Sequence, residues 1–219
     1  MENLAASMMV ILTTGIIVVV IFLLYNRSKR ENEAKLINLA AARGWTFERI
    51  QERLVWGYRL GSPRWKLEAL SESSDNTSEA SQINVTQTTR IRAPQLTLHG
   101  RTVLIGPHPG NIPDLGVLGQ SLMSKAAEMF LGNSAAGLKE VTLNSTEAAK
   151  RFMVLAQEPK DALKILTPKI EMALTNWQGN LPVIKFTAEG LQIDVRGAQF
   201  KKEKDILALV NLAEALLEN

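Results

Sequence analysis

The feature that most constrains this chain is an apolar segment near its start, where no charged side chain occurs from residue 3 to residue 26. As a helix, Leu4–Tyr25 would rise about 33 Å, enough to cross a hydrocarbon core of roughly 30 Å. A cleaved signal peptide would need a basic start, a shorter apolar core and a small-residue cleavage site. Here Glu2 is acidic and the apolar run is longer. The sequence therefore predicts an uncleaved transmembrane helix.

The charges beside this segment predict its orientation. Arg27, Lys29 and Arg30 follow the segment directly, and no basic residue precedes it. Basic flanks of membrane helices stay on the cytoplasmic side. We therefore expect a single-pass protein of the bacterial inner membrane, with its N-terminus outside and its C-terminal domain in the cytoplasm.

A cluster of small residues inside the segment predicts contact with another membrane helix. It consists of Thr13, Thr14 and Gly15. Small residues let two helix backbones approach closely in lipid, and threonine hydroxyls can bond to backbone carbonyls. No G-x-x-x-G motif accompanies the cluster, so the sequence does not specify a dimer of this chain. We expect other integral-membrane subunits as partners.

The composition limits the chemistry of the chain. Cysteine is absent, which excludes disulfides, thiolate catalysis and cysteine-ligated metal sites. Apolar residues make up 46% of the chain, enough for a packed core. The net charge of +3 is too small to indicate nucleic acid by itself. No motif indicates a cofactor or a small-molecule substrate.

After the apolar segment, the spacing of apolar residues predicts a mixed domain. A helix should continue to about residue 43 and stop at Gly44. Period-two alternation then predicts strands, the first three forming a small antiparallel meander. The predicted strands are 45–50, 54–60, 64–70, 83–92, 95–105 and 138–143. A polar loop is expected over 71–82, and a helix over 114–131.

The last third of the chain predicts the order β-α-β-β-α. A strand over 151–157 precedes a helix over 158–177, in which Pro168 should cause a kink or divide two abutting helices. One apolar stripe is predicted along it, formed by Leu163, Leu166, Ile170, Leu174 and Trp177. A hairpin turning at 188–190 and a final helix complete an α+β body, an antiparallel sheet with helices packed on one face.

These elements predict four segments along the chain. They are a membrane anchor with its basic flank over 1–30, a juxtamembrane helix with a meander over 31–70, a polar loop over 71–82 and an α+β body over 83–219. The stretches RGWTFERI, RFMVLAQEPKDALKILTP and VIKFTAEGLQIDV, with the terminal helix, resemble uncharacterised bacterial membrane-anchored proteins that carry a cytoplasmic α+β domain. The resemblance covers mostly 43–70 and 150–219, and it implies an architecture without site residues.

A stretch rich in tryptophan and arginine follows the juxtamembrane helix that is predicted to stop at Gly44. Its candidate contact residues are Trp45, Arg49, Arg53, Trp56, Arg59, Arg64 and Trp65. Three interpretations are open: core aromatics beside solvated arginines, docking to a membrane or partner, and nucleic-acid binding. An anionic leaflet would attract nearby basic residues by about 1 kcal/mol each. No ribonucleoprotein signature or helix-turn-helix is visible, so nucleic acid is not expected as a partner.

The run IGPHPGNIPDLG, residues 105–116, is the densest group of turn residues. A phosphate loop usually needs a Lys-Ser/Thr pair, which is missing, and prolines remove amide donors. His108 could pair with Asp114 as a base and its orienting acid, but no nucleophile motif accompanies them. We predict a structural connector, with a partner-contact loop formed by His108, Asn111 and Asp114 as the alternative. No metal site is predicted from two histidines.

Together these features favour a non-catalytic accessory or scaffolding subunit of a bacterial membrane complex, of respiratory, photosynthetic or transport type. The alternative is a membrane-surface binding module that recruits a soluble partner or anionic lipid. A third hypothesis is an enzyme of unrecognised type. Salt-sensitive binding to anionic vesicles would separate the second hypothesis from the first, because screening weakens exposed charges.

Overall fold

The computed structural model describes the backbone of residues 2–74, 84–96, 101–108 and 137–218. In the first helix, side chains are described from residue 17 onward, apart from residues 18 and 25. The helices in these ranges are α1 (Glu2–Arg43), α2 (Thr146–Arg151), α3 (Pro159–Ile165), α4 (Pro168–Thr175) and α5 (Glu203–Leu217). The strands are β1 (Thr46–Gln51), β2 (Val55–Gly61), β3 (Lys66–Ser74), β4 (Asn84–Ala93), β5 (Val103–Pro107), β6 (Lys139–Glu140), β7 (Phe152–Ala156), β8 (Val183–Thr187) and β9 (Gly190–Arg196).

The end of α1 is part of the folded body. The helix stops where predicted, because Gly44 adopts a φ of 68°, a left-handed conformation that favours glycine. The amide of Trp45 then donates to the carbonyl of Ala40 at 2.8 Å and closes the last turn. Leu36, Leu39 and Ala40 are buried in the core cluster. The last two turns of α1 therefore pack against the domain that follows.

The strands form one antiparallel sheet with helices, so the predicted mixed α+β fold is confirmed. Within the described ranges, the strand order is β1-β2-β3-β4-β9-β8-β5-β7-β6. The sheet crosses the predicted boundary between meander and body without a break, because β3 pairs with β4 over nine residue pairs, from Lys66 opposite Arg92 to Ser74 opposite Asn84.

The prediction of a loop beginning at residue 71 is wrong for its first four residues. Ser71–Ser74 continue β3, and Ser71 is buried. Their backbone groups are satisfied by pairing with β4, which outweighs the polar composition of the segment. The rest of the predicted loop lies outside the described residues.

The core lies between one face of the sheet and the helices. Alternate residues of β9, Leu191, Ile193 and Val195, point into it as predicted and are at most 2% exposed. The helix predicted over 158–177 is two helices, α3 and α4, separated at Leu166 and Thr167 before Pro168. This break shifts the helical phase, so Leu163 is 56% exposed and does not belong to the predicted stripe. The other four members of the stripe are buried.

The opposite face of the sheet is apolar in one half only. Leu104 of β5, Met153 and Leu155 of β7 and Val183 of β8 are buried there, outside the main core cluster. All five residues of β7, from Phe152 to Ala156, are therefore buried. In the other half, from β1 to β4 and β9, this face carries charged side chains. We call that half the charged face.

Some sequence predictions are not addressed by these residues. The helix predicted over 114–131 and residues 97–100 of the strand predicted over 95–105 lie outside the described ranges. In the described part of that stretch, the strand begins only at Val103. Helix α2 was not predicted; Ser145 caps it by accepting from the amide of Ala148 at 3.2 Å. Among the residues that the structure describes, no helix is long and apolar enough to cross a membrane. The transmembrane anchor therefore stays a prediction.

Candidate functional site

The tryptophan- and arginine-rich stretch does not form one patch. In the meander, β1 and β2 are joined at one end of the sheet, and β2 and β3 at the other. Arg49, Arg53 and Trp56 lie near the first turn, whereas Arg64 and Trp65 lie at the second. The two groups occupy opposite ends of β2, so they cannot contact the same small ligand.

At the first end, a groove separates α1 from the meander. It has a volume of about 510 Å³ and lies between residues 28–36 of α1, the facing parts of β1 and β2, and the segment 199–201. We call it the stem groove. The apolar part of its wall comes from Leu36, Phe47, Ile50 and Trp56, among others. Trp56 is 40% exposed, an unusually open position for so large an apolar side chain.

The floor of the stem groove is held by Tyr58. Its ring stacks on that of Phe47, with centroids 6.1 Å apart, and its hydroxyl donates to the carbonyl of Phe200 at 2.6 Å. Burial raises the pKa of Tyr58 far above its ordinary value, and the negative charge of Asp205 raises it further. The phenol is therefore neutral at physiological pH and serves as a fixed hydrogen-bond donor.

The close approach of β2 to β3 behind the groove depends on Gly57. A Cβ at this position would overlap the carbonyl oxygen of Ala69 and come within 3.0 Å of Nε2 of Gln199. The Gln199 amide donates to the carbonyls of Ala69 at 3.2 Å and Trp56 at 3.4 Å. Glycine at position 57 therefore lets the Gln199 side chain bond to both β2 and β3.

The rim of the stem groove is charged and mostly basic. Nη1 of Arg49 lies 3.5 Å from Oε1 of Glu33 and ties β1 to α1. Lys29 and Lys201 also line the groove, as does Glu52. An exposed tryptophan beside cationic side chains can bind an apolar group that carries a negative charge. The arrangement therefore suits a binding surface.

At the second end, the predicted contact residues hold the body together. Trp65 is only 2% exposed, and its ring meets that of Trp45 edge to face with centroids 5.0 Å apart. Its indole nitrogen donates to Glu214 of α5 at 3.4 Å. Nη2 of Arg64 donates to the carbonyl of Leu217 at 2.8 Å. These contacts attach the second turn to the end of α5.

Arg59 belongs to a ladder of alternating charges across the charged face. Residues opposite each other on successive strands form this ladder: Glu48, Arg59, Glu68, Arg90 and Asp194. Arg59 binds Glu48 at 2.7 Å and Glu68 at 2.8 Å. Arg59, predicted from the sequence as a contact residue, is therefore part of a ladder that the sequence did not predict. The available signal was the alternation of charged with apolar residues at Lys66–Ala69 and at Arg90–Ala93.

Asp194 is the buried end of this ladder. It is 2% exposed, and it accepts from Nε of Arg90 and from Nε2 of Gln192, while Nζ of Lys185 lies 3.3 Å away. Burial by itself would raise the pKa of Asp194. The hydrogen bonds from Arg90 and Gln192 and the charges of Arg90 and Lys185 outweigh burial, so the pKa lies below its ordinary value. Asp194 is therefore a fixed anion.

The remaining candidate residues lie largely outside what the structure describes. His108 follows β5, is half-buried, and its amide donates to the carbonyl of Arg151 at 2.8 Å. Asn111 and Asp114 are not among the described residues, and only the backbone of Thr13, Thr14 and Gly15 is described. The contact-loop and helix-packing predictions therefore stay predictions.

The described residues also bear on cofactor chemistry. Nowhere in the described ranges do three or more histidine, aspartate or glutamate side chains come close enough to hold a metal ion. The geometry favours the stem groove as the candidate site, because it is a partly apolar, charged-rimmed binding surface beside α1. Comparison with known protein families, with curated proteins and with solved structures finds no match to this chain.

Proposed function

We propose that this chain is a non-catalytic accessory subunit of a bacterial membrane complex. An apolar helix anchors it in the inner membrane, and the α+β body is held against the cytoplasmic membrane surface. The proposal combines three features: an apolar segment in α1, the packing of the end of α1 into the body, and the position of the stem groove.

The first support comes from the apolar side chains of α1. Seven of them between residues 17 and 24 are about half exposed or more, from 47% to 62%. They are Ile17, Val19, Val20, Ile21, Phe22, Leu23 and Leu24. So many adjacent apolar side chains need a cover that the described residues do not supply. A lipid bilayer or neighbouring membrane helices would cover them.

The observation that carries the proposal is the continuity of α1. The helix runs from Glu2 to Arg43, and its last turns place Leu36 and Leu39 in the core. Arg49 and Glu33 add an ion pair between the helix and β1. A tether would need only a flexible linker. A helix that enters the core instead fixes the direction in which the body points, as a structural subunit requires.

The stem groove lies on the side from which the predicted anchor emerges. At 1.5 Å per residue, residue 28 is about 5 Å and residue 36 about 17 Å beyond residue 25 along the helix. The rim of the groove would therefore begin in the headgroup layer, where Trp56 and basic side chains are favoured. Lipid headgroups or a segment of a neighbouring subunit would fill the groove.

A second candidate function is a membrane-surface binding module that recruits a soluble partner or anionic lipid. The exposed Trp56 and the basic rim, with Lys29 and Lys201, favour it. The two functions differ in what holds the chain. A binding module should respond to salt and to lipid charge, whereas a packed subunit should be much less sensitive to salt.

The proposal is tested by purifying the full chain in mild detergent and identifying the proteins that co-purify. We expect integral-membrane proteins in stoichiometric amounts. Gly15→Leu should remove them, because a large side chain prevents close helix approach. Val20→Leu, a conservative change in the same helix, is the matched control. Unchanged partners in Gly15→Leu, or soluble partners alone, would contradict the accessory-subunit function.

A further inference from the structure

The charged face carries one position that departs from its own pattern. Along the ladder, every cross-strand neighbour has the opposite charge, from Glu48 to Asp194. Two residues before Glu68 in β3, Lys66 lies directly opposite Arg92 of β4, and Arg92 lies opposite the neutral Gln192 of β9. Like charges at directly opposite positions destabilise a sheet. Here two cations face each other at the end of an otherwise balanced face.

These two cations form part of a cleft at the end of the sheet remote from the stem groove. It has a volume of about 590 Å³, within the range of small-ligand sites. Its floor is the end of the charged face, and its walls are three turns, at residues 62–65, 94–95 and 187–190. We call it the distal cleft. Gly190 has a φ of 110° and no room for a Cβ beside Ala93, so the third wall approaches closely.

The other charged groups of the distal cleft do not neutralise this pair. Arg59 and Glu68 bind each other at 2.8 Å. Arg64 also lines the cleft and adds a third cation, with Nη2 donating to the carbonyl of Leu217. Glu189 lies in the third wall. Within the described parts of the chain, the side chains of Lys66 and Arg92 make no hydrogen bond or ion pair, and both residues are exposed.

We propose that the distal cleft binds a small phosphate-bearing ligand through Lys66 and Arg92. The arginine fork matches a phosphate group, and lysine adds a point charge. The hydroxyl of Ser62 already accepts from the amides of Arg64 and Trp65 at 3.2 Å, which leaves its proton free to donate. A bound phosphate restores the alternation of charge that the face otherwise keeps. The inference does not depend on membrane anchoring or on the stem groove.

Inorganic pyrophosphate is a suitable probe, tested on the full chain in detergent at constant ionic strength. Isothermal titration should detect binding, and the midpoint of thermal unfolding should rise, because a ligand that binds only the folded state stabilises it. Lys66→Gln and Arg92→Gln should each weaken binding about tenfold or more, because each substitution removes one charge-assisted hydrogen bond to the ligand. Lys139→Gln is the control, an exposed lysine on β6.

Lys66→Glu tests whether Lys66 and Arg92 bind a ligand or are only solvated surface charges. It places opposite charges on facing residues, so it should raise the unfolding midpoint without ligand and abolish the response to pyrophosphate. Three results would overturn the proposal: no binding of pyrophosphate, equal binding by the two glutamine variants and wild type, or a response to hexaglutamate as large as that to pyrophosphate. The last result would indicate an acidic protein segment.

Discussion

Arg90 and Asp194 face each other across β4 and β9, with Nε of Arg90 2.5 Å from Oδ1 of Asp194. The carboxylate is buried, whereas about a third of the arginine side chain is exposed. Lys185 approaches the other carboxylate oxygen from β8 at 3.3 Å. One buried anion therefore joins three strands in the middle of the sheet, between the meander and the last hairpin.

Asp194→Asn should lower the free energy of unfolding by about 2–4 kcal/mol at pH 7, because Arg90 and Lys185 lose their buried anion. Urea unfolding measures this change. Glu147→Gln is the control, because the pair of Glu147 with Lys150 is well exposed on both sides and should barely matter. An equal effect of the two substitutions would contradict the role of Asp194.

The same residue predicts how stability depends on pH. The pKa of Asp194 is lower in the folded chain than the unfolded value of about 3.9. Its stabilisation is therefore fully present above the unfolded pKa and is lost as pH falls through the folded pKa. Below about pH 4, the wild type should lose stability more steeply than Asp194→Asn. Parallel curves for the two proteins would contradict the pKa shift.

The break between α3 and α4 is tested by two leucines three residues apart. Leu166 is 5% exposed and Leu163 is 56% exposed. Leu166→Ala should cost about 2–5 kcal/mol, the range for a buried large-to-small change. Leu163→Ala should change the free energy of unfolding by less than about 0.5 kcal/mol. Similar costs for both would indicate one continuous helix with a single stripe.

Gly57→Ala tests the close approach of β2 and β3 behind the stem groove. The added methyl group would overlap the carbonyl oxygen of Ala69, so we expect a loss of about 3 kcal/mol or more in unfolding free energy. Gly44→Ala is the matched control. Its Cβ would meet nothing within 4 Å, so only the left-handed backbone costs energy, about 1–2 kcal/mol. A smaller loss in Gly57→Ala than in Gly44→Ala would contradict the packing.

The orientation of the chain is tested by a reporter fused after Asn219. Arg27, Lys29 and Arg30 predict that the reporter lies in the cytoplasm. An enzyme that works only in the periplasm, such as a periplasmic phosphatase, should therefore be inactive at this position and a cytoplasmic reporter active. The reverse pattern of activities would contradict the predicted topology.

Much of the local structure could be predicted from the sequence. Gly44 ends α1, Pro168 begins a new helix, and Gly190 lies in the last hairpin, because each residue has a strong local preference. Leu163 was wrongly predicted to be buried, because one helical period was extended across the break between α3 and α4. The spacing of apolar residues could not show that the first of these helices already ends before Leu166.

The candidate sites depend on relationships between distant residues, which local patterns do not contain. Lys66 meets Arg92 only after β3 and β4 pair, and Arg90 meets Asp194 only when β9 joins β4. The sequence does show basic and aromatic residues together between 43 and 66. Only the strand register shows that Trp56 and Trp65 lie at opposite ends, one exposed and one buried.

We propose that α1 holds the body in a fixed orientation within a membrane complex. An insertion of eight glycine and serine residues between Asn26 and Arg27 tests this proposal, because it separates the predicted anchor from the rest of α1 and keeps the basic flank nearby. The same residues added after Asn219 are the control. In mild detergent, integral-membrane partners quantified by mass spectrometry should be lost from the first variant and kept in the control. Partners retained at unchanged stoichiometry by the first variant, with its body folded, would contradict the claim.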